Sequence, residues 1–221
     1  MGRNSPIFTN HLVVNRLFTN FIYCIATLSE KQNTTMKFIK RTLLTILIII
    51  IVMCLFRGWF YRLLVTYRSV GQRANYIAKE KKLIDYIDTK NEGKKDIDID
   101  GIIKLALAAT AQQLNYTASN NNNDPNNLID SKTAHCVGYA SFFATSCNYL
   151  LKKHNLSGNW VATPQIGQLY FLGINVHKYF DSAFFKDHDF VILVNKTTGE
   201  LLAVDPSVND YLDIGYVTYR Q

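Results

Sequence analysis

Thr133-Ala134-His135-Cys136-Val137-Gly138-Tyr139-Ala140-Ser141-Phe142-Phe143-Ala144-Thr145-Ser146-Cys147 is the stretch on which the reading of this chain turns. Cys136, Tyr139, Ala140, Phe143, Cys147, Leu150 and Leu151 fall at i, i+3, i+4, i+7, i+11, i+14 and i+15, one face of a helix with 3.6 residues per turn. The spacing predicts a buried helix that opens at Cys136, runs to about Lys153 and is terminated at Asn155. A thiol in the first turn of a helix meets unpaired backbone N–H groups and the positive end of the dipole, which favours thiolate and nucleophilicity. A small apolar residue on a core face satisfies the same pattern, so the helix alone leaves both meanings open.

Downstream residues decide between them. Asp187-His188-Asp189-Phe190-Val191-Ile192-Leu193-Val194 reads as a strand, Asn195-Lys196-Thr197-Thr198-Gly199 as a turn, and Glu200-Leu201-Leu202-Ala203-Val204-Asp205 as the returning strand. A connection of that length brings Asp205 back beside His188. A Cys at a helix start with a His and an Asp on paired strands is the nucleophile, base and orienter set of thiol acyl transfer.

Cys136-Val137-Gly138-Tyr139-Ala140, His188 at a strand start, and Val204-Asp205-Pro206-Ser207-Val208-Asn209-Asp210 resemble the three core motifs of the transglutaminase-like superfamily, in the order Cys, His, Asp and over about residues 98–214. The resemblance implies an α+β fold with a papain/transglutaminase-like core, a central helix packed on an antiparallel sheet. It implies that Cys136 is the nucleophile, His188 its base and then acid, and Asp205 the group that fixes the imidazole. Phe190 stands where the family more often has Trp, and the acidic neighbours Asp187 and Asp189 are unusual. Those two carboxylates are expected to raise the His188 pKa and to favour cationic substrate groups. For the oxyanion the backbone N–H of Cys136 is the first donor, with Gln112, Gln113 or the Asn-rich loop as sources of a second.

Other candidates read as bland. His135 adjoins Cys136 but points about 100° away around the helix; His177 lies in the aromatic segment 173–186 that can cover a cleft; His154 complements a helix C-terminus; and Cys147 packs in the core. His11, Cys24 and Cys54 suggest no partners. No CxxC pair, metal-ligand spacing or Gly-rich phosphate loop occurs, so no metal or cofactor is expected.

Around this core the sequence divides by charge. Residues 1–95 carry sixteen Lys and Arg against five Asp and Glu, whereas residues 96–221 carry eight against twelve, with Arg220 the only arginine. The net charge of +7 therefore belongs to the N-terminal part, and the acidic part lacks the basic face that nucleic-acid binding needs. Asp98 or Asp100 caps an expected helix ending near Leu114. The segment 115–127, with seven asparagines and Asp124-Pro125, reads as a long loop.

The basic part contains the run Leu43–Phe56, whose only non-apolar residue is Thr45. Fourteen residues reach roughly 21 Å, short of a hydrocarbon core of about 30 Å, so the expected signal-anchor helix extends over residues 42–65, with Trp59, Phe60 and Tyr61 at the interface. No small-x-small cleavage step follows it. Residues 1–41 are an N-terminal extension, with Met36-Lys-Phe-Ile-Lys-Arg resembling a true start; residues 66–95 read as a basic helical linker, and residues 96–221 as the catalytic domain. The expectation is a single-pass membrane protein with an extracytoplasmic domain that cleaves a peptide or protein amide as a cysteine protease or amidase. The alternatives are a protein-crosslinking transglutaminase, an idle binding or assembly module on the same fold, and a Cys-His-His cell-wall peptidase, which Asp205 disfavours.

Overall fold

A computed structural model describes residues 34–119 and 122–221. The chain divides into two units, residues 1–55 and 56–221. Residues 1–33, with His11, Cys24 and most of the anticipated extension, lie outside the description, as do Asn120 and Asn121.

The first unit's described part is one helix, α1 (Thr34–Leu55), whose segment Met36–Leu55 is long and apolar enough to span a membrane. Twenty residues at 1.5 Å each reach about 30 Å, the thickness of a hydrocarbon core, with Lys37, Lys40 and Arg41 in the first two turns. The helix anticipated over residues 42–65 is not one continuous element. The helix breaks at Phe56, and a separate short helix, α2 (Arg57–Leu64), begins the second unit. Trp59 to Val65 are apolar enough for either role, and composition does not distinguish them.

Residues 66–95 are corrected more deeply. In place of a basic helix linker, Val65–Gln72 forms β1, an inner strand, and only Lys81–Asn91 is helical (α3). Its Leu83, Ile87 and Asn91 are buried at four-residue steps. Arg68, Ser69, Gly71 and Gln72 disguise the alternation of β1, on which Tyr67 is fully buried. The folded unit that carries Cys136, His188 and Asp205 thus begins well before residue 96.

Next come α4 (Ile99–Gln113), capped by the Asp98 carboxylate accepting from the Gly101 N–H, β2 (Asn115–Tyr116), α5 (Pro125–Ser131) and β3 (Thr133–Ala134). Part of the anticipated Asn-rich loop is therefore helix: Asp124 is an N-cap for the Asn126 N–H and Pro125 takes the first turn, where its missing N–H costs nothing. The central helix α6 (Cys136–Lys153) has the bounds its spacing predicts, and Asn155 follows it at φ 59°. Burial is not confined to one face, because Gly138, Ser141, Phe142, Ala144, Thr145 and Ser146 are buried as well.

The remaining elements are β4 (Trp160–Phe171), β5 (Ile174–Asn175), two single-turn 3-10 helices (Val176–Tyr179 and Ala183–Phe185), β6 (Phe190–Asn195), β7 (Leu201–Val204), α7 (Pro206–Leu212) and β8 (Thr218–Tyr219). The sheet runs β7-β6-β4-β1-β8, with β5 paired to β4; all neighbours are antiparallel except β1 and β8, which are parallel. This is an α+β arrangement. One sheet face, through Trp160, Ala162, Val191, Leu193 and Val204, shares a core with α3, α4 and α6. The other carries a smaller cluster of Tyr67, Phe190, Ile192, Ala203 and Val217. A helix lying between a sheet and further helices is apolar all round, which explains the burial of α6.

Candidate active site

The β6–β7 hairpin sets the site. Val191 pairs with Val204, so the residues just outside the ladder, His188 and Asp205, are brought alongside each other. His188 Nε2 donates to Asp205 Oδ2 at 2.6 Å. Asp205 is fully buried and is also the N-cap of α7: its Oδ1 accepts from the backbone N–H groups of Ser207 and Val208, both at 3.0 Å, and from the Ser207 hydroxyl at 2.7 Å. Three donors fix one oxygen while the other faces His188, so the carboxylate cannot rotate without losing cap bonds.

Its Oδ2 has a second partner. The Tyr67 hydroxyl donates to it at 2.8 Å, and the hydroxyls of Tyr61 and Tyr67 are 2.5 Å apart. Burial, then the Asp205 charge, hold both phenols above their ordinary pKa and keep them protonated. Tyr67 also packs against the His188 and Phe190 rings. Neither tyrosine is legible as a site residue: Tyr61 reads as interfacial, and β1 reads as linker until Tyr67 is seen facing Asp205, 138 residues away.

With Nε2 held by Asp205, Nδ1 is the nitrogen left for Cys136, which borders the same cleft as the ring. The three predicted residues are thus brought together. Burial tends to lower the His188 pKa, but the Asp205 charge and hydrogen bond, followed by those of Cys136, outweigh it and hold the ring well above its ordinary value. For Asp205, burial would raise the pKa, and His188 together with the Ser207 and Val208 donors lowers it below the usual range. Each partner is charged because the other is.

Gly167 on β4 lets His188 sit there. Its carbonyl accepts from the His188 N–H at 2.9 Å, and a Cβ at this position would lie 2.5 Å from the His188 carbonyl and 2.6 Å from the Phe190 ring. Gly138 similarly admits the strand before α6, where a Cβ would meet that of Ala134 at 2.6 Å.

Cys136 and His188 border a cleft of about 200 Å³ whose other walls include Tyr116, Leu169, His177, Phe180, Phe184 and Phe185. The aromatic segment 173–186 therefore lies where the sequence suggests, beside the cleft. Tyr116 is a site residue not anticipated. Burial, then the charges of Cys136, Asp205 and Tyr211, push its phenol up to about 12, so it is a donor at neutral pH. The glutamines considered as oxyanion donors are engaged elsewhere: Gln112 Oε1 accepts from Lys90 Nζ, and Gln113 Nε2 donates to the Ile129 carbonyl.

The acidic neighbours of His188 behave differently from expectation. Asp189 is fully buried and held by Arg73 in a two-pronged pair, Nε to Oδ2 at 2.8 Å and Nη2 to Oδ1 at 3.1 Å. Asp187 borders the cleft, 3.7 Å from Arg73. Arg73 therefore opposes both carboxylates, which are not the unpaired acidic pair the sequence suggests.

The remaining candidates have structural partners. His135 caps α6, its Nδ1 accepting from the Val137 N–H at 3.3 Å, and burial lowers its pKa. His154 Nε2 bonds Asn91 Oδ1 at 2.8 Å rather than helix carbonyls. His177 Nδ1 donates to the Phe185 carbonyl at 2.6 Å, leaving Nε2 buried with no partner at the cleft. Burial raises the Cys147 thiol well above its ordinary value. Among the described residues no group of three His, Cys, Asp or Glu side chains is placed to hold a metal ion. A larger hollow of about 700 Å³ lies towards the other end of α6, lined by Tyr76, Tyr149, Lys152 and Trp160, and no member of the Cys-His-Asp set borders it.

Cys136, His188 and Asp205, with Tyr67 behind and Tyr116 beside them, set a thiol and a carboxylate-held imidazole at the edge of a cleft. No protein-family model, curated protein or solved structure matches the chain.

Proposed function

We propose that residues 56–221 form a papain/transglutaminase-like enzyme, tethered to a membrane by α1, that cleaves a peptide or protein amide through a thioester on Cys136. The observation that carries this reading is the fully buried Asp205 bonded to both His188 and Tyr67, with His188 and Cys136 lining one cleft. The Cys136 sulfur attacks the carbonyl carbon, and the oxyanion takes hydrogen bonds from the first-turn backbone N–H of Cys136 and from the Tyr116 hydroxyl. His188 Nδ1 gives its proton to the departing amine nitrogen as the C–N bond breaks. It then takes a proton from water as the water oxygen adds to the thioester carbon; the C–S bond breaks, the carboxylic acid leaves and His188 returns the proton to the Cys136 sulfur. Asp205 holds the ring throughout. In this reading the domain lies on the extracytoplasmic side of a single-pass chain.

An activated acyl ester tests the reading. Incubation followed by mass mapping is expected to place the acyl group on Cys136 in the native protein, with none there in Cys136→Ala and at least tenfold slower acylation in His188→Ala. Acylation of Cys147 at the same rate, or none anywhere, contradicts the enzyme and favours an idle binding module.

A further inference from the structure

The second unit carries exposed apolar side chains gathered about α2. Trp59 and Leu63 lie four residues apart on that helix and are 54% and 60% exposed. At its C-terminal end the Leu64 carbonyl accepts from the Leu172 N–H at 2.8 Å, and this bond attaches the tip of the β4–β5 hairpin, where Leu172 is 65% and Ile174 55% exposed. At its N-terminal end Arg57 Nε donates to the Leu212 carbonyl at 2.6 Å, and Leu212 is exposed as well. The tip itself is costly: Leu172 and Gly173 both have positive φ, 49° and 83°, a turn that suits Asn-Gly, and a leucine is held there in the left-handed region. Folding alone does not call for an exposed leucine in that conformation.

The chain itself indicates what covers this face. Arg57 follows by two residues the last residue of the helix able to span a membrane, and α2, with eight residues, is about 12 Å long, so Leu64 and the tip bonded to it stay within a short tether of that point. Cations flank the tip. Arg68 lies over the Tyr170 ring at 4.6 Å, and Lys178 and Lys186 line an adjoining hollow of about 440 Å³ with Gln168, Tyr170 and Asn175 and no carboxylate.

We propose that α2 and the β4–β5 tip dock on the surface of an anionic bilayer, with Trp59, Leu63, Leu172 and Ile174 among the acyl chains and Lys178 and Lys186 at the headgroups. Because β5 leads directly into the aromatic wall of the cleft, docking sets Cys136 beside the membrane surface. The docking stands independently of the proposed chemistry.

Lipid-borne quenching tests it in the full chain, reconstituted in nanodiscs of phosphatidylcholine and phosphatidylglycerol. The chain has two tryptophans, so Trp59→Phe leaves only the buried Trp160, and Ile174→Trp in that background reports from the tip. Brominated acyl chains are expected to reduce the emission of the tip tryptophan at least twofold and to leave that of Trp160 unchanged. Lys178→Glu with Lys186→Glu is expected to reverse most of the quenching. A tip tryptophan untouched by brominated lipid overturns the proposal, whether acrylamide reaches it, as for a bare surface, or is excluded, as for a face covered by a second copy or another protein. Alkylation of Cys136, measured on the same samples, reports separately on the catalytic reading.

Discussion

The Tyr67 hydroxyl donates to the same Asp205 oxygen that holds His188. A strand that reads as part of a linker thus completes the coordination of the residue that orients the imidazole. Tyr67→Phe removes that donor from a buried carboxylate and strands the Tyr61 hydroxyl, at a cost of about 2 kcal/mol for a bond to a charged group. The expected result is a lower urea midpoint and a several-fold slower reaction at Cys136. Tyr61→Phe added to Tyr67→Phe is expected to cost less than the sum of the single changes, because the two hydroxyls form one network. Additive effects in denaturation would separate Tyr61 from the site.

The charged pair makes stability depend on pH in a defined direction. His188 has a folded-state pKa raised above 6.5, so its contribution is fully present below 6.5 and is lost as pH rises through the folded value. Asp205 has a folded-state pKa lowered below 3.8, so its contribution is present above 3.8 and is lost as pH falls through the folded value. The pair therefore stabilises most between pH 3.8 and 6.5. Native protein minus Asp205→Asn, compared by denaturant unfolding across pH, should show a difference that peaks in that window and shrinks on both sides. A difference that grows above pH 6.5 would mean that His188 is not held protonated by Asp205.

Arg73 neutralises the fully buried Asp189. Arg73→Met leaves that carboxylate buried without its counter-charge, a loss of about 3 kcal/mol. Arg73→Met combined with Asp189→Leu should regain much of the stability. Thermal unfolding of the two variants distinguishes the cases: a single variant as stable as the native protein would show that the pair is not needed to keep Asp189 buried.

How much of this was legible depended on how local each signal is. The bounds of α6, the Asp98 cap, the turn at Gly199 and the return of Asp205 to His188 rest on spacing, capping residues and hairpin register within about twenty residues, all visible in the sequence. β1 was hidden because its partners are β4 and β8, far along the chain, and because Arg68 and Ser69 break the apolar alternation. The helix break at Phe56 is hidden because Trp59–Val65 serve equally well as interfacial residues and as the start of a domain. Asp124-Pro125 has turn chemistry, and the same pair also starts helices. Asp189 looked like a substrate-facing charge, since nothing in the sequence links it to Arg73, 116 residues earlier.

The rate of alkylation of Cys136 by iodoacetamide at pH 7, compared between native protein, His188→Ala and Asp205→Ala, tests the central claim most directly. A thiol activated by a held imidazolium should react about 100-fold faster in the native protein than in His188→Ala, by the usual range for positioned acid–base groups, with Asp205→Ala in between and Cys147 nearly inert. Cys136 reacting at one rate in all three proteins, no faster than Cys147, would contradict the account.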